Sequence, residues 1–128
     1  PLKLKLKDIL EDEVDEKYYL SDEQVEKIRC STFNQANIRI QEKEYWDTLC
    51  ARDWKDSKCV VADYRYDEGL RIRKLTPKEC WRLMGFDDED FEKASKVNSN
   101  TQLYKQAGNS IVVNVLEAIF DNLLQEYK

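Results

Sequence analysis

An apolar stripe near the end of the chain constrains the fold more than any other feature of the sequence. Large apolar residues recur there at the spacing of an α-helix, which predicts a helix from about Ser110 to Gln125. The stripe consists of Ile111, Val112, Val115, Leu116, Ile119, Phe120, Leu123 and Leu124. Because burial of one such side chain is worth about 1.5–3 kcal/mol, the stripe needs a large covering surface. Either the rest of this chain or a second body must supply that surface.

The size and composition of the chain limit the classes of protein to which it can belong. At 128 residues it suits one domain or one lobe of a larger enzyme, and its first residue, Pro1, fits a processed or excised piece. No apolar run is long enough to cross a membrane, and no secretory signal pattern opens the sequence. No membrane partner is therefore expected. The 4 cysteines form no Cys-x-x-Cys pair and histidine is absent, which predicts reduced thiols in a cytoplasmic protein and no bound metal.

The charge is unevenly distributed along the chain. The net charge is −5, yet residues 27–82 carry 13 basic and 9 acidic groups, which gives this middle part +4. Because contact with nucleic-acid phosphates needs only a local positive surface, the middle part is the candidate for such contact. An ordinary fluctuation of surface charge is the alternative interpretation.

The first 74 residues predict an arm followed by short strands. Residues 1–29 form an N-terminal arm, with Leu and Lys alternating as in an extended segment over Leu2 to Lys7 and a short helix from about Asp22 to Arg29. Residues 30–74 contain β-branched and aromatic residues in short runs, which predict strands joined by polar loops. A turn is expected at residues 67–69, ahead of a strand that begins at Leu70.

Residues 75–128 have a helical pattern. Thr76 and Glu79 have the spacing of a capping box, Pro77 suits the first helical position, and Gly85 suits the stop. A second short helix is expected in DDEDFEKASKV and a loop in NSNTQLYKQAGNS, ahead of the last helix. The whole chain is therefore predicted as an α+β fold, a small mixed lobe of short β-strands and loops with C-terminal helices.

Two stretches closely resemble the last two conserved motifs of the 5-methylcytosine DNA methyltransferases. They are RKLTPKECWRLMGF, from Arg73 to Phe86, and YKQAGNSIVVNVLEAI, from Tyr104 to Ile119. The resemblance implies that residues 30–74 are the target recognition segment, in which Thr48-Leu49 stands where the family commonly has a Thr-Leu pair. It also implies double-stranded DNA as partner, S-adenosyl-L-methionine as cofactor, and packing on an α/β catalytic lobe that lies outside this chain.

The family's chemical elements are absent from this chain. The catalytic cysteine of the family lies in a Pro-Cys dipeptide, but here Pro1 and Pro77 are the only prolines and neither precedes a cysteine. The Gly-rich cofactor loop and the Glu-Asn-Val element are also missing. The sequence therefore predicts the C-terminal portion of a DNA (cytosine-5-)-methyltransferase, with no catalytic residue and no activity on its own.

The Gly-Asn-Ser turn is the cofactor-side candidate. In the family this turn helps to line the S-adenosylmethionine pocket, which would place Asn109 and Ser110 against the amino-acid end of the cofactor. A helix start offers N–H groups and a positive dipole end that suit a carboxylate. The alternative is that Asn109 or Ser110 only caps the last helix. Without a catalytic lobe, weak or absent cofactor binding is expected.

The DNA-binding candidates are side chains that can donate to bases or phosphates. They are Gln35, Asn37, Arg39, Thr48, Cys50, Arg52, Arg71, Arg73 and Arg82. Thr48 suits phosphate contact, Arg52 can bind guanine, and Arg71 and Arg73 alternate on one strand face. Lys78 departs from the arginine that is usual in the family, so Arg82 is the better-matched basic residue. Each alone could equally be an ordinary surface residue.

Two other functions are compatible with the sequence. One is a stand-alone DNA-binding or regulatory protein without catalysis. The other is a protein-interaction module that uses its acidic ends and apolar helix and binds no nucleic acid. The steep weakening of DNA binding with salt would separate these two classes.

Overall fold

The computed structural model describes residues 5–30, 38–40, 49–52, 55, 60–65 and 69–125. Within these residues, 3₁₀ turns at Leu6–Asp8 and Glu16–Tyr18 precede the regular elements. The helices are α1 Asp22–Cys30, α2 Pro77–Leu83, α3 Asp88–Ser95, α4 Asn100–Asn109 and α5 Val113–Gln125. The strands are β1 Ile38–Ile40, β2 Val60–Arg65 and β3 Gly69–Lys74. The predicted mixture of short strands and C-terminal helices is thus confirmed for the described residues.

The described strands form one small sheet in the order β1-β2-β3. β2 and β3 pair antiparallel, from Val60 opposite Lys74 to Arg65 opposite Gly69, and β1 lies parallel to β2. The N-terminal arm joins the other edge of β3, where the N–H of Leu20 donates to Ile72 O at 3.0 Å. The strand prediction for this region is confirmed. Of the predicted turn, residues 67 and 68 lie outside the described residues, and Gly69 is the first residue of β3.

The main core lies between α2 and α4. Its buried members are Leu75, Cys80, Trp81, Leu103 and Ala107. The indole of Trp81 donates from Nε1 to Leu103 O at 3.0 Å, and its ring meets Phe86 at 4.9 Å and Phe91 edge-on at 5.7 Å between centroids. Trp81 therefore joins three helices, because Phe91 belongs to α3 and Leu103 to α4.

The predicted start and stop of α2 are confirmed. The Glu79 N–H donates to Thr76 Oγ1 at 3.1 Å, and the Thr76 N–H donates to Glu79 Oε2 at 2.8 Å, which completes the capping box. Pro77 is the first helical residue. Gly85 follows the helix with φ of 84°, a conformation that suits glycine. The predicted helices near residues 22–29 and 88–95 are confirmed as α1 and α3.

The structure corrects two local predictions. The segment NSNTQLYKQAGNS, predicted as a loop, contains α4. Leu103 and Ala107 lie four residues apart and are each 1% exposed, so burial of one helix face outweighs the polar composition of the segment. In the arm, Leu6–Asp8 forms a 3₁₀ turn rather than a strand, because Leu6 turns inward and is 2% exposed. Residues 1–4 lie outside the described residues.

The last helix is exposed. It begins at Val113 rather than near Ser110, so Ile111 and Val112 lie ahead of it. Its first turn is anchored by the Val113 N–H, which donates to Met84 O at 2.9 Å. None of its residues is buried. In the described part of the chain, no helix has the length and apolar character needed to span a membrane.

Candidate nucleic-acid and cofactor interface

Arg73 is buried, which corrects its assignment as a DNA contact. Its side chain is 1% exposed and faces Glu79, which is 0% exposed. The Arg73 guanidinium donates from Nη1 to Glu79 Oε2 at 2.9 Å and from Nη2 to Glu79 Oε1 at 2.8 Å. A guanidinium enclosed in this way cannot reach a phosphate. Arg71 and Arg73 do alternate along β3, but tertiary packing covers Arg73.

Glu79 joins three parts of the chain. Besides the two bonds from Arg73 on β3, its carboxylate accepts the N–H of Thr76 at 2.8 Å and the N–H of Glu11 in the arm at 2.9 Å. Each bond to a carboxylate is charge-assisted and therefore stronger than one between neutral groups. The arm, β3 and α2 are thus held together at one buried carboxylate.

Arg71 and Arg82 also make intramolecular contacts. Arg71 forms an ion pair with Glu16 and lies 4.3 Å from the centroid of the Tyr19 ring. Arg82 donates from Nε and Nη2 to the two oxygens of Asp88, at 2.7 and 2.6 Å, and from Nη1 to Ile9 O at 2.9 Å. These bonds give Arg82 a positioning role between the arm and α3.

The ion pair between Arg82 and Asp88 shifts the pKa values of both groups. The hydrogen bond to Arg82 is the main cause that lowers the pKa of Asp88 from 3.8 to about 2, with a further lowering from Lys78. The same bond raises the pKa of Arg82. Both groups are therefore charged throughout the neutral range, and the pair offers no proton donor or acceptor for chemistry.

The remaining recognition candidates are only partly described. Cys50 and Arg52 are exposed on the segment 49–52. Arg39 belongs to β1, of which only the backbone is described. Gln35, Asn37 and Thr48 lie outside the described residues. Their contacts with DNA therefore stay predictions.

The segment 49–52 lies directly against α4. Leu49 packs on the main core. A Cβ placed on Gly108 would lie 2.3 Å from Ala51 N and 2.3 Å from the carbonyl carbon of Cys50. Only a residue without a side chain permits this approach. Sequence reasoning missed this role; the one available signal was a lone glycine next to helix-forming residues.

Asn109 and Ser110 lie at the C-terminal end of α4, not at the start of the last helix. Asn109 is the last residue of α4 and is exposed. Ser110 is the C-cap: its N–H donates to Gln106 O at 3.0 Å, and its hydroxyl donates to Ala107 O at 2.8 Å. The alternative interpretation, that Asn109 or Ser110 caps the last helix, is therefore wrong. The dipole argument for a carboxylate at the start of that helix does not apply to them either, because Ile111 and Val112 separate Ser110 from α5.

The cofactor role of Asn109 and Ser110 stays a prediction. The exposed carboxamide of Asn109 can donate and accept, whereas Ser110, whose hydroxyl proton is already donated, can accept only. Among the described residues, no group of three or more His, Cys, Asp or Glu side chains is arranged to hold a metal ion.

Comparisons with known proteins identify the family. The model of the C-5 cytosine-specific DNA methylase family matches residues 2–125. The type II methyltransferase M2.ScrFI of Lactococcus lactis subsp. cremoris is 42% identical over 127 residues, which cover 97% of this chain and 34% of that protein. The orphan methyltransferase M.Rho11sI of Bacillus phage rho11s is 71% identical over 58 residues, or 44% of this chain and 12% of that protein.

Solved structures of other methyltransferases share the fold of this chain. The Dnmt2 methyltransferase of S. pombe superposes with a TM-score of 0.80 at 19% identity, over 100% of this chain and 44% of that chain. The methyltransferase EhMeth of Entamoeba histolytica gives a TM-score of 0.78 at 15% identity. This chain spans about a third of the length of M2.ScrFI. The match over nearly its whole length shows that the chain belongs to the C-5 cytosine-specific DNA methylase family.

Proposed function

We propose that this chain is the C-terminal DNA-recognition lobe of a DNA (cytosine-5-)-methyltransferase and that it acts with a separate α/β catalytic lobe. In that reaction the target cytosine is flipped out of the duplex, attacked at C6 and methylated at C5. S-adenosylmethionine supplies the methyl group. The cytoplasm is the proposed location. The observation that carries the proposal is the uncovered apolar face of α5.

That face has the pattern of a docking surface. The exposed large apolar side chains on and just before α5 are Ile111, Val115, Ile119, Phe120, Leu123 and Leu124, between 48% and 63% exposed. The acidic residues Glu117 and Asp121 fall on the opposite side of the helix at a spacing of 3.6 residues per turn. So many neighbouring apolar side chains are rarely left exposed to water. Their exposure therefore supports a partner that covers this face in the complete enzyme.

The contribution of this chain to chemistry is binding and positioning. It contains no Pro-Cys dipeptide, so the nucleophile belongs to the catalytic lobe. Asn109 and Ser110 would complete the wall of the cofactor pocket with the NH₂ group of Asn109 as donor and the side-chain oxygens of both residues as acceptors. The isolated chain would bind S-adenosylmethionine weakly or not at all, since it forms only one side of that pocket.

DNA recognition is assigned to the segment around residues 35–52. Arg52 is exposed and can form a bidentate contact with guanine, while Thr48 would lie near a phosphate of the DNA and Cys50 belongs to the same cluster. Gln35, Asn37 and Arg39 form a second proposed cluster. Residues 27–82 carry an excess of basic groups, but Arg71 and Arg82 pair with Glu16 and Asp88. Phosphate contact is therefore proposed for the segment that carries the exposed Arg52 rather than for the whole region.

The direct test is reconstitution. The chain is mixed with a catalytic half that lacks the last two motifs, such as the part of M2.ScrFI that this chain does not match, and transfer of labelled methyl groups to duplex DNA is measured. We expect transfer only when both parts are present. A correctly folded pair that assembles but stays inactive on all duplexes tested would contradict the proposal.

A pair of variants tests the docking surface. Phe120→Asp places a charge in the apolar face, and we expect it to weaken assembly by more than about 100-fold, because an unpaired charge would be buried. Ala118→Asp is the matched control, since Ala118 is also exposed but lies on the polar side of α5. It should change assembly by less than about threefold. Equal effects of the two variants would exclude α5 as the docking helix.

A salt titration separates this function from a protein-interaction module. Binding of the assembled enzyme to duplex DNA should weaken steeply between about 50 and 200 mM salt, because counterions are released from the phosphates. A protein-interaction module would bind no DNA even at the lowest salt concentration.

A further inference from the structure

The contact at Gly108 joins two regions that have different proposed roles. On one side lies the segment 49–52, which belongs to the recognition region. On the other side lies the last turn of α4, which ends at Asn109. The atoms nearest to a Cβ at position 108 are the Ala51 nitrogen at 2.3 Å, the Cys50 carbonyl carbon at 2.3 Å and the Cys50 oxygen at 2.6 Å. All three are backbone atoms, so they cannot rotate away as a side chain would.

Both sides of this contact are held firmly. Leu49 packs on the core that includes Leu103 and Ala107 of α4. On the other side, Ser110 is tied to α4 through its N–H, which donates to Gln106 O and Ala107 O at 3.0 and 3.2 Å. A displacement of the segment 49–52 therefore acts directly on the turn that carries Asn109, without a flexible side chain between them.

We propose that Gly108 is a positioning residue that couples DNA binding to cofactor binding. This inference rests on the proposed function, because it takes the segment 49–52 as DNA-binding and Asn109 with Ser110 as cofactor-binding. DNA that holds the segment in its docked position also holds the last turn of α4 in the geometry that the cofactor needs. In this proposal the segment 49–52 and the last turn of α4 shift together as one unit, so that a ligand that fixes one of them also fixes the other.

The test measures cofactor affinity in the assembled enzyme with and without duplex DNA. Titration calorimetry with S-adenosylmethionine gives the dissociation constant in each case. For the unmodified chain we expect DNA to tighten cofactor binding by a factor within about 5–150, the usual range for coupled sites, and the cofactor to tighten DNA binding by the same factor. Gly108→Ala should reduce that factor to below about 2, because the added Cβ separates the segment from α4.

Two further variants make the result specific. Gln106→Ala also introduces an alanine into the last turn of α4. Because the Gln106 side chain is exposed, this variant should leave the coupling factor unchanged. Leu49→Ala loosens the segment from the core without altering α4, and it should lower the coupling factor as Gly108→Ala does. If Gly108→Ala does not fold, Leu49→Ala decides the question.

The outcomes separate the inference from the proposed function. If the unmodified assembly binds DNA and cofactor without coupling, or if both variants keep the full coupling factor, the role of Gly108 is refuted while the proposed function stands. If the unmodified assembly binds neither ligand, the proposed function fails and the inference fails with it. Loss of coupling in both variants, with the Gln106→Ala factor unchanged, supports the inference.

Discussion

Replacement of Glu79 by alanine should be the most destabilising single change in the described core. The Glu79 carboxylate is fully buried and accepts four hydrogen bonds, two from Arg73 and one each from the N–H groups of Thr76 and Glu11. Glu79→Ala would leave the Arg73 guanidinium buried without its counter-ion. It would also leave two backbone N–H groups without their acceptor.

The magnitude follows from these losses. Removal of one partner from a buried ion pair costs about 3–5 kcal/mol, and each N–H group that loses its acceptor costs about 1–3 kcal/mol where it is buried. The losses share one carboxylate, so they do not add fully, and we expect about 5 kcal/mol. Since domains are typically stable by about 5–15 kcal/mol, the Glu79→Ala chain should be close to unfolding.

The assay is urea unfolding followed by tryptophan fluorescence, since Trp81 is buried beside this site. Thr76→Ala is the control for the capping hydroxyl, which also donates to Glu11 Oε2, and it should cost about 1 kcal/mol. The double variant Arg73→Met with Glu79→Leu removes both charges and should recover much of the loss. If Glu79→Ala costs no more than Thr76→Ala, the buried ion pair does not hold the arm, β3 and α2 together.

Three further predictions concern other parts of the chain. Because Arg82 lowers the pKa of Asp88 from 3.8 to about 2, the pair stabilises the fold above about pH 4 and loses this effect as the pH falls to 2. Asp88→Asn should therefore reduce the fall in unfolding free energy between pH 4 and pH 2, by at most about 1 kcal/mol because the pair is partly exposed. Gly85→Ala should cost about 1–2 kcal/mol in thermal unfolding, because φ is 84° and the new Cβ would lie 2.5 Å from Asn114 Oδ1. Phe120→Asp should change the unfolding free energy of the isolated chain by less than about 0.5 kcal/mol in urea, because Phe120 is 57% exposed; a larger loss would show that α5 packs on its own chain.

Local signals in the sequence predicted the boundaries of α2 and the presence of the strands. A capping box, a proline at the first helical position and a glycine after the last turn all act within a few residues, so no tertiary information is needed. The strands followed from β-branched residues between turn formers. The apolar stripe of α5 was equally visible, because helical spacing places its members on one side.

The helix α4 and the fate of Arg73 could not be predicted locally. The segment before residue 110 is polar and contains turn-forming residues, and only the burial of Leu103 and Ala107 makes it helical. Arg73 looked like a surface arginine because its counter-ion, Glu79, is supplied by the start of the next helix. Asn109 and Ser110 lie at the end of α4 rather than at the start of the last helix for the same reason, since α4 extends through the predicted loop.

The sequence by itself determined the family, the caps of α2 and the apolar stripe of the last helix, because these depend on residue types at short, regular spacings. Only the tertiary structure decided which charged groups are buried, which glycine meets a distant backbone, and whether the α5 face is covered within the chain. Those outcomes depend on the approach of segments that are far apart in sequence, as with Cys50 and Gly108. No local pattern encodes such an approach, since it results from the packing of the whole core.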